Sequence, residues 1–542
     1  MRHSNDAGGA KRTASVALLV ALAATTALLG FADPARAADL TVTTNGDAGP
    51  GTFRSALTAA AANPGPDVIT IRAGVGTIET FSPLRFSANG DLTIRGNGAA
   101  FDSSEASAGL VFTGGRGNLT IERLRFVDAD VATPNAGALV LVGTVGDLLL
   151  SDCAFSGNLA SPSPVPRAHG AALIKRGGGS TLINRCSFTG NVSSGPGNTI
   201  VGGAIIVEDG PLTVIGSDVS GNIGSALGDS RVAGAINAGG PLTIVDSSIT
   251  SNIATGLAGD ITTAGVLSRN GPLAITNTTV ASNELRGPVT RGAGGVLATG
   301  GEAVLTYATV VGNTATGEPA PGGKAANVMT EAGLRPFASV IAPAVGRPNC
   351  VTRGPVASAG ANFSDDDSCG LTATGDRMNA GDPGLGALTT TGKPGPVRLP
   401  DSGSPLVDAI PYDRCTAGTA AGITTDERGG TRPLGGGCDI GAIEAPGAPV
   451  TTTLPPATTT VPGSTTTMPR STTTRPGPVA TSTTTTTAAR ADGGSGGSGA
   501  ATAAGIALAL IAAAAVAGIF WARRRSSGGA GAPETGDGPA ED

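Results

Sequence analysis

A segment of about thirty residues recurs along this chain. The stretch GPLTVIGSDVSGN, which ends at residue 222, returns as GPLTIVDSSITSN and again as GPLAITNTTVASN. Each copy ends with an asparagine, and we call these residues the ladder asparagines. They mark six units, with spacings of 33, 31, 30, 31 and 30 residues: Asn158, Asn191, Asn222, Asn252, Asn283 and Asn313. A fixed period of this size predicts stacked structural units that bury one continuous core.

Each unit contains an alternating strand whose first and third residues share one face. These strands open at Leu92, Leu119, Leu148, Leu182, Leu212, Leu242, Leu273 and Val304. An apolar residue also stands three residues before each asparagine, with inward parity: Phe155, Phe188, Val219, Ile249, Val280 and Val310. The pattern predicts that Val219 packs between Phe188 and Ile249, while Ser220 faces outward.

A second strand of each unit opens with glycine, at Gly137, Gly203, Gly234, Gly265 and Gly295. The corner between the two strands is built from turn-forming residues, as in Asp209-Gly210-Pro211. No part of the repeat has the apolar spacing of a helix. The unit is therefore one coil of short strands, and stacked coils would pair equivalent strands in parallel about 4.8 Å apart. At that spacing the asparagine amides can hydrogen-bond along their column.

The sequence GGAI at residues 202–205, together with F-x-x-N at Phe155–Asn158 and Phe188–Asn191, resembles the paired motifs of the polymorphic outer-membrane-protein repeat. The resemblance covers about residues 100–315. It implies an all-β fold, the right-handed parallel β-helix of the pectin-lyase-like superfold. Eight strand openings predict eight coils in residues 38–345, and residues 337–342 suggest an irregular ninth.

The two ends of a coil stack need caps. Residues 46–72, with Thr52-Phe53-Arg54-Ser55-Ala56-Leu57, resemble the N-terminal segment of exported β-helix proteins of the CSLREA type. We expect a short capping helix from Thr52 to Ala62, ended by Asn63-Pro64-Gly65.

Residues 349–444 resemble the choice-of-anchor Q domain, which precedes varied surface anchors. The matching stretches are Asn349-Cys350, Ser368–Gly370, Gly381–Pro383, Ser404–Ala409, Thr425–Gly429, Arg432-Pro433 and Cys438–Glu444. The resemblance implies a C-terminal capping domain in residues 346–445. We interpret its Asp, Glu and Arg residues as a network that holds a glycine-rich cap together, rather than as a catalytic site.

The chain has six cysteines, which in an exported protein suggest disulfides. Cys350 with Cys369 and Cys415 with Cys438 are the short-range pairs, and each would contribute about 3 kcal/mol. Cys153 and Cys186 both stand five residues before a ladder asparagine and are expected to stack in adjacent coils. The sequence leaves open whether this pair forms a disulfide or remains two stacked free thiols.

Export signals lie at both ends. Residues 1–37 combine basic residues, an apolar run and Ala35-Arg36-Ala37, which predicts a secretory signal peptide. Residues 446–500, rich in Thr and Pro and then in Gly and Ser, predict a stalk. Residues 501–525 hold an uncharged apolar run before three arginines, which predicts a transmembrane helix with residues 526–542 in the cytoplasm.

The protein is therefore expected to be exported and anchored in the cell membrane, with an extracellular ectodomain. Signal cleavage would remove four of the 35 Lys and Arg residues and two of the 41 Asp and Glu residues, which leaves a net charge of −8. This charge argues against nucleic acid as a partner.

Lyases and hydrolases of this superfold display acids and bases from neighbouring coils on one outward column. Six residues before the asparagines, the column reads Asp152, Arg185, Gly216, Asp246, Asn277 and Tyr307. Counted from the strand glycines, two further columns read Ile206, Asn237, Ser268, Ala298 and Val207, Ala238, Arg269, Thr299. None contains adjacent carboxylates, so we predict no catalytic, metal or cofactor site on them.

His169, the one histidine beyond residue 37, is expected in a loop, and Asp152 with Arg185 is expected to be a surface ion pair. Enzymatic chemistry remains compatible with the variable loops after the asparagines, such as residues 159–169 and 223–233. The leading hypothesis is an adhesin or envelope-associated interaction protein that binds extracellular polysaccharide or a surface protein. The alternative is a surface carbohydrate-active enzyme, either a polysaccharide lyase or a glycoside hydrolase.

Overall fold

The computed structural model describes residues 37–445, except 88–89, 105–108, 132–136, 145, 161–167, 319–322, 391 and 393–394. The predicted signal peptide up to residue 36, the stalk, the transmembrane helix and the cytoplasmic tail lie outside the described residues. Within those residues, no helix has both the length and the apolar character needed to cross a bilayer.

The described strands stack as a right-handed parallel β-helix of about nine coils, which confirms the predicted fold class. The ninth coil continues the stack through Leu334–Phe337 and Val340–Ala342. Four parallel sheets run along the stack: sheet A begins at Asp39–Val42, sheet B at Leu84–Phe86, sheet C at Asp130–Val131 and sheet D at Ala168–Gly170. Each full coil passes through a strand of sheet B, two strands or one long strand of sheet A, and then sheets C and D.

Sheet A contains the alternating strands and the strands that lead to the asparagines. Its strands are Asp39–Val42, Asp67–Ile71, Thr77–Glu79, Leu92–Arg95, Ala100–Asp102, Leu119–Glu122, Arg125–Val127, Leu148–Ser151, Ala154–Ser156, Thr181–Asn184, Ser187–Thr189, Leu212–Ile215, Asp218–Ser220, Leu242–Thr250, Leu273–Ala281, Ala303–Val311, Leu334–Phe337, Val340–Ala342 and Phe363–Ser364. Sheet B contains the strands that precede them in each coil. They are Leu84–Phe86, Leu110–Thr113, Leu139–Val142, Leu173–Arg176, Ile205–Val207, Ile236–Ala238, Val266–Ser268, Val296–Ala298, Val328–Thr330 and Cys350–Thr352.

Sheets C and D form a side lobe built from the residues that follow the ladder asparagines. Sheet C contains Asp130–Val131, Leu159–Ala160, Val192–Gly195, Ile223–Ala226, Ile253–Thr255, Glu284–Arg286 and Thr314–Ala315. Sheet D contains Ala168–Gly170, Ile200–Gly202, Arg231–Ala233, Ile261–Thr263, Arg291–Ala293 and Lys324–Ala325. The expectation of variable loops over residues 159–169 and 223–233 is therefore wrong for the parts described.

The side lobe is ordered by apolar clusters of its own. One cluster lies between sheets C and D and includes Val201, Val232 and Leu285. A second joins sheet D to the outer face of sheet B through Ala233, Ala293, Ala325, Leu267, Leu297 and Met329. Small residues on sheet D let the two sheets approach closely, so that the segments after the asparagines bury apolar surface in regular strands.

The core column confirms the predicted parity. Val219 pairs in register with Phe188 on one side and with Ile249 on the other, and its side chain is fully buried. The rings of Phe126, Phe155 and Phe188 stack face to face with centroids 4.6 Å apart. Each inward side chain therefore packs against its equivalents in both neighbouring coils.

The ladder asparagines are fully buried, and most are linked through their amides as predicted. The Nδ2 atoms of Asn158, Asn191 and Asn283 donate to Oδ1 of the next asparagine at 2.7, 2.6 and 2.8 Å. Asn252 makes the same bond to Asn283. Asn222 Nδ2 donates instead to the Phe188 carbonyl at 3.4 Å. The same Oδ1 atoms also accept a backbone N–H, so the ladder satisfies buried backbone donors as well as side chains.

The N-terminal capping helix is confirmed over Phe53–Ala62. The Thr52 hydroxyl accepts the N–H of Ser55 at 3.3 Å, and the helix ends at Asn63. Phe53 packs edge-to-face on Phe101 with ring centroids 4.5 Å apart, so the helix covers the apolar end of the first coils.

The C-terminal segment, residues 346–445, contains few regular elements beyond the last rungs of sheets A and B. They are the antiparallel pairs Leu385–Thr389 with Val397–Pro400 and Ile410–Pro411 with Gly437–Cys438, the helix Tyr412–Cys415 and the 3₁₀ turn Gly418–Ala420. Much of this segment folds back along the outer face of sheet A, where Ser248 donates to the Pro396 carbonyl at 2.5 Å.

Register differs from the predicted alignment by one residue in several coils. Sheet A aligns Thr181 and Ala303, not Leu182 and Val304, with the inward openings of its other strands. That choice places Ile183 and Leu305 in the core, where both are fully buried. In sheet B, Ile236 pairs with Val266, so the predicted alignment through Gly265 and Gly295 is also displaced by one residue.

Candidate functional site

The column six residues before the asparagines forms a backbone corner in the structure. All of its members have positive φ, between 43° and 55°: Asp152, Arg185, Gly216, Asp246, Asn277 and Tyr307. Gly, Asn and Asp tolerate this left-handed conformation best. Backbone geometry therefore explains the Gly, Asn and Asp residues of the column, and the Asp152–Arg185 pair is an exposed ion pair at 2.8 Å, as predicted.

The C-terminal segment covers the later part of this column. Asn277 Nδ2 donates to the Thr425 carbonyl at 2.7 Å, and the Tyr307 hydroxyl donates to the Cys415 carbonyl at 2.6 Å. Tyr307 is fully buried. The expectation that the whole column faces solvent is wrong, because a segment more than one hundred residues later in the chain packs on it.

A buried ion pair lies at the centre of this interface. Arg432 Nη1 donates to Glu444 Oε1 at 2.6 Å, and both side chains are almost fully buried. The Glu444 carboxylate also accepts the backbone N–H groups of Asp439 and Leu434, both at 2.9 Å. The Arg432 guanidinium stacks 3.8 Å above the Tyr307 ring, so one side chain joins the C-terminal segment to the coils.

Two further carboxyls of the same segment organise its turns. Asp426 Oδ1 accepts the N–H groups of Arg428 and Gly430 at 3.0 and 2.6 Å, and its Oδ2 accepts the N–H of Glu444. Glu427 is buried, and Oε2 lies 2.5 Å from the Thr279 hydroxyl. Burial raises the pKa of Glu427 well above its ordinary value. These contacts agree with the interpretation of the charged motif as a structural network.

Two aspartates of sheet A face the same interface. Burial raises the pKa of Asp218 to about 7 and that of Asp246 to about 6. Gly395 packs directly on the Asp218 carboxyl, whose Oδ1 has no hydrogen-bond partner among the described residues. These are perturbed acids, but the C-terminal segment covers them, so they are placed for docking rather than for contact with a substrate.

The cysteines divide into bonded and free pairs. Cys350–Cys369 and Cys415–Cys438 are disulfides with Cα atoms 4.8 and 5.6 Å apart, which confirms both predicted bonds. Cys153 and Cys186 are free, buried and stacked, and the N–H of Cys153 lies 3.3 Å from Cys186 Sγ. The same column continues with serine hydroxyls at Ser217 and Ser247, which accept backbone N–H groups in the same way.

The prediction that His169 lies in a loop is wrong. It is the central residue of the sheet D strand Ala168–Gly170 and is fully buried. Neither ring nitrogen has a hydrogen-bond partner among the described residues, and burial lowers the pKa of the imidazole. Within the same part of the chain, no group of three or more His, Cys, Asp and Glu side chains could hold a metal ion.

The corrected register of sheet B reveals a column that sequence reasoning missed. The residues directly after the strands align as Glu208, Gly239, Arg269, Thr299 and Glu331. The predicted register displaced two coils by one residue. It therefore assigned these side chains to different columns and hid the face that they share. The sequence signal that could have revealed this column is the charged residue that directly follows several sheet B strands, as at Glu208, Arg269 and Glu331.

Comparison of the chain with protein-family models, with curated proteins and with solved structures found no match.

Proposed function

We propose that this chain is an exported, membrane-anchored surface protein that acts as an adhesin or an envelope-associated interaction protein. The resemblances to polymorphic outer-membrane-protein repeats, to the CSLREA-type segment and to the choice-of-anchor Q domain belong to this proposal. The predicted stalk and transmembrane helix supply the anchor, and the β-helix supplies a long, regular surface for contact with polysaccharide or protein.

The observation that carries the proposal is the attachment of the chain just before the predicted stalk. Ala445 donates its N–H to Asp439 Oδ2 at 2.7 Å, and Glu444 pairs with buried Arg432. The Cys415–Cys438 disulfide lies next to Asp439 in sequence. A force on the stalk would therefore be transmitted to a buried, disulfide-linked region that is hydrogen-bonded to the coils. An anchored surface protein requires such an attachment.

Adhesion of cells that display the full chain tests this function. We expect such cells to adhere to an array of neutral and acidic polysaccharides and surface proteins more strongly than cells that secrete a chain ending at residue 445. A reporter after Asp542 should be cytoplasmic, and residues 38–490 should be open to protease on cells with a permeable wall. Equal adhesion of both cell types, or a periplasmic or extracellular reporter, would refute the proposal.

The enzymatic alternative is tested with the same protein. The purified full chain is incubated with acidic and neutral polysaccharides, and new chain ends are measured. Reproducible cleavage that a single carboxylate substitution abolishes would replace the interaction function by a carbohydrate-active one.

A further inference from the structure

Five arginines line the groove in which the outer face of sheet B meets sheet D. Two of them open strands of sheet D, and three end or directly follow strands of sheet B. We call this set the arginine strip: Arg176, Arg269 and Arg353 beside sheet B, and Arg231 and Arg291 on sheet D.

Strand register sets the spacing of the strip. Sheet B pairs strand to strand from Leu173–Arg176 through Cys350–Thr352, which spans seven successive coils. Arg176, Arg269 and Arg353 stand at the ends of the first, fourth and seventh of these sheet B strands, and Arg231 and Arg291 open the sheet D strands just before the third and the fifth. At about 4.8 Å per coil, the strip is roughly 29 Å long and follows the helix axis.

The outer arginines are already paired. Arg176 lies 3.0 Å from Glu208, and Arg291 reaches across the groove to within 2.7 Å of Glu331. Arg353 approaches the same glutamate at 3.8 Å. These ion pairs place sheet D and sheet B side chains on one shared surface.

The central arginines are different. Arg231 is exposed, Arg269 is half-buried, and neither forms an ion pair with any described residue. Gly239 and Thr299 flank Arg269 in its column, and the carboxylates of Glu208 and Asp209 favour its charged form from nearby without an ion pair to it. The centre of the strip therefore holds two arginines without an ion pair, one exposed and one half-buried, on a protein with an acidic net charge.

The Arg269 guanidinium has donor atoms without a hydrogen-bond partner among the described residues. Its Nε and Nη2 atoms are buried and have no hydrogen-bond partner among the described residues. The guanidinium lies against Gly239, where a Cβ would meet Nη2 at 2.9 Å. A buried, unpaired guanidinium is costly, and its planar donors suit carboxylates, sulfates and phosphates.

We propose that the arginine strip binds an extended acidic polysaccharide, whose carboxylates or sulfates pair with Arg231 and Arg269 at its centre. The inference rests on the proposed interaction function and names its ligand class. A single file of guanidinium groups matches a linear polymer with spaced acidic groups. Nucleic acid fits less well, because the strip has no aromatic side chain on which bases could stack and the net charge is negative.

Binding of defined polymers to the immobilised full chain tests the proposal. The probes are polygalacturonate as the carboxylated arm and dextran sulfate as the sulfated arm, with neutral dextran and single-stranded poly(dT) as comparators. We expect at least one acidic polysaccharide to bind, with affinity that falls as salt rises, and neutral dextran not to bind. The double variant Arg231→Gln/Arg269→Gln should bind at least about tenfold more weakly.

A control variant of equal charge change is Arg185→Gln/Arg286→Gln, because both arginines are exposed and lie outside the groove. It should bind within about twofold of the wild type. Arg269→Lys keeps the charge without the planar fork and should give an intermediate affinity. The groove variant should unfold at no lower a temperature than the wild type, since Arg231 and Arg269 have no ion pair to lose and Gln removes a costly buried charge.

Three results would overturn the proposal: no binding of either acidic polysaccharide, equal losses in the two double variants, or tighter binding of poly(dT) than of the polysaccharides. If polymer binding fails while displaying cells still adhere, the ligand assignment is wrong and the surface function stands. If adhesion fails while the strip binds polymer, the proposed surface function is wrong and the ligand assignment stands.

Discussion

The central coils and the C-terminal segment bury their surfaces in different ways. In the coils, Val219 is one of a column of equivalent residues, and every rung supports two neighbours. In the C-terminal segment, single contacts without a repeat hold the structure, above all the Arg432–Glu444 pair and two disulfides. Stability is therefore spread along the coils but concentrated at a few side chains in the segment that docks on them.

The largest effect should come from a charge in the core column. Val219→Asp must bury a carboxylate between Phe188 and Ile249 or open its coil, and we expect a loss of about 5 kcal/mol or more in the free energy of unfolding. Thermal or denaturant unfolding measures it. Ser220→Asp would not be a neutral control, because Ser220 donates to Asp218. Thr213→Asp, half-buried on the outward face, should cost far less, and comparable losses would show that the register is wrong.

Next in size is the buried pair of the C-terminal segment. Arg432→Met leaves Glu444 buried without its cation and should destabilise the docked segment by about 3–5 kcal/mol. Limited proteolysis within residues 365–445 and thermal unfolding follow the loss. The double variant Arg432→Met/Glu444→Gln should recover part of it, and no recovery would show that the cost arises from lost packing on Tyr307.

The disulfides give the third effect. Cys415→Ser/Cys438→Ser opens a loop with a sequence separation of 23 residues and should cost about 3 kcal/mol in the C-terminal segment. Amide hydrogen exchange should rise in that segment and leave the central coils protected. Equal loss of protection in the coils would mean that the two regions unfold as one unit.

Stability should also depend on pH through the aspartates at the interface. Burial raises the pKa of Asp218 to about 7 and of Asp246 to about 6, from 3.8. The folded state therefore holds protons that the unfolded chain releases above about pH 4, so stability is lost as pH rises toward 7. The slope is about 1.4 kcal/mol per pH unit for each proton retained. Unfolding measured from pH 4.5 to 7.5 should show a flatter slope for Asp218→Asn and the wild-type slope for the exposed control Asp413→Asn.

The smallest effect should come from the stacked thiols. Cys153→Ser and Cys186→Ser place in the column the residue that Ser217 and Ser247 already provide, with carbonyl acceptors available near both sulfurs. We expect each to cost less than about 1 kcal/mol in unfolding free energy. A loss of several kcal/mol would show that the thiols contribute packing that a hydroxyl cannot replace.

Periodicity made most of the coil stack predictable. The asparagine spacing, the inward position of Val219 and the capping helix after Thr52 depend on local sequence and on strand parity, which act within a few residues. The disulfides followed from short separations between cysteines. Equivalent positions in successive copies then determined which residues stack, because each coil pairs with its neighbours.

The repeat pattern did not predict the register of every strand or the packing of distant segments on the coils. A one-residue choice at Val266 decided whether Leu267 faces the core or the side lobe, and both alternatives have apolar residues at inward positions. The arginine strip remained hidden for the same reason.

The sequence by itself determined the parallel β-helix, its core columns and its asparagine ladder, because a repeat of about thirty residues can bury its apolar face only by stacking on copies of itself. Only the tertiary structure decided what covers the outer face of sheet A and what shares the groove beside sheet B. Thr425 meets Asn277 across 148 residues of sequence, and Arg291 meets Glu331 across two sheets. Such contacts depend on the packing of whole segments, for which no local spacing of residues provides a signal.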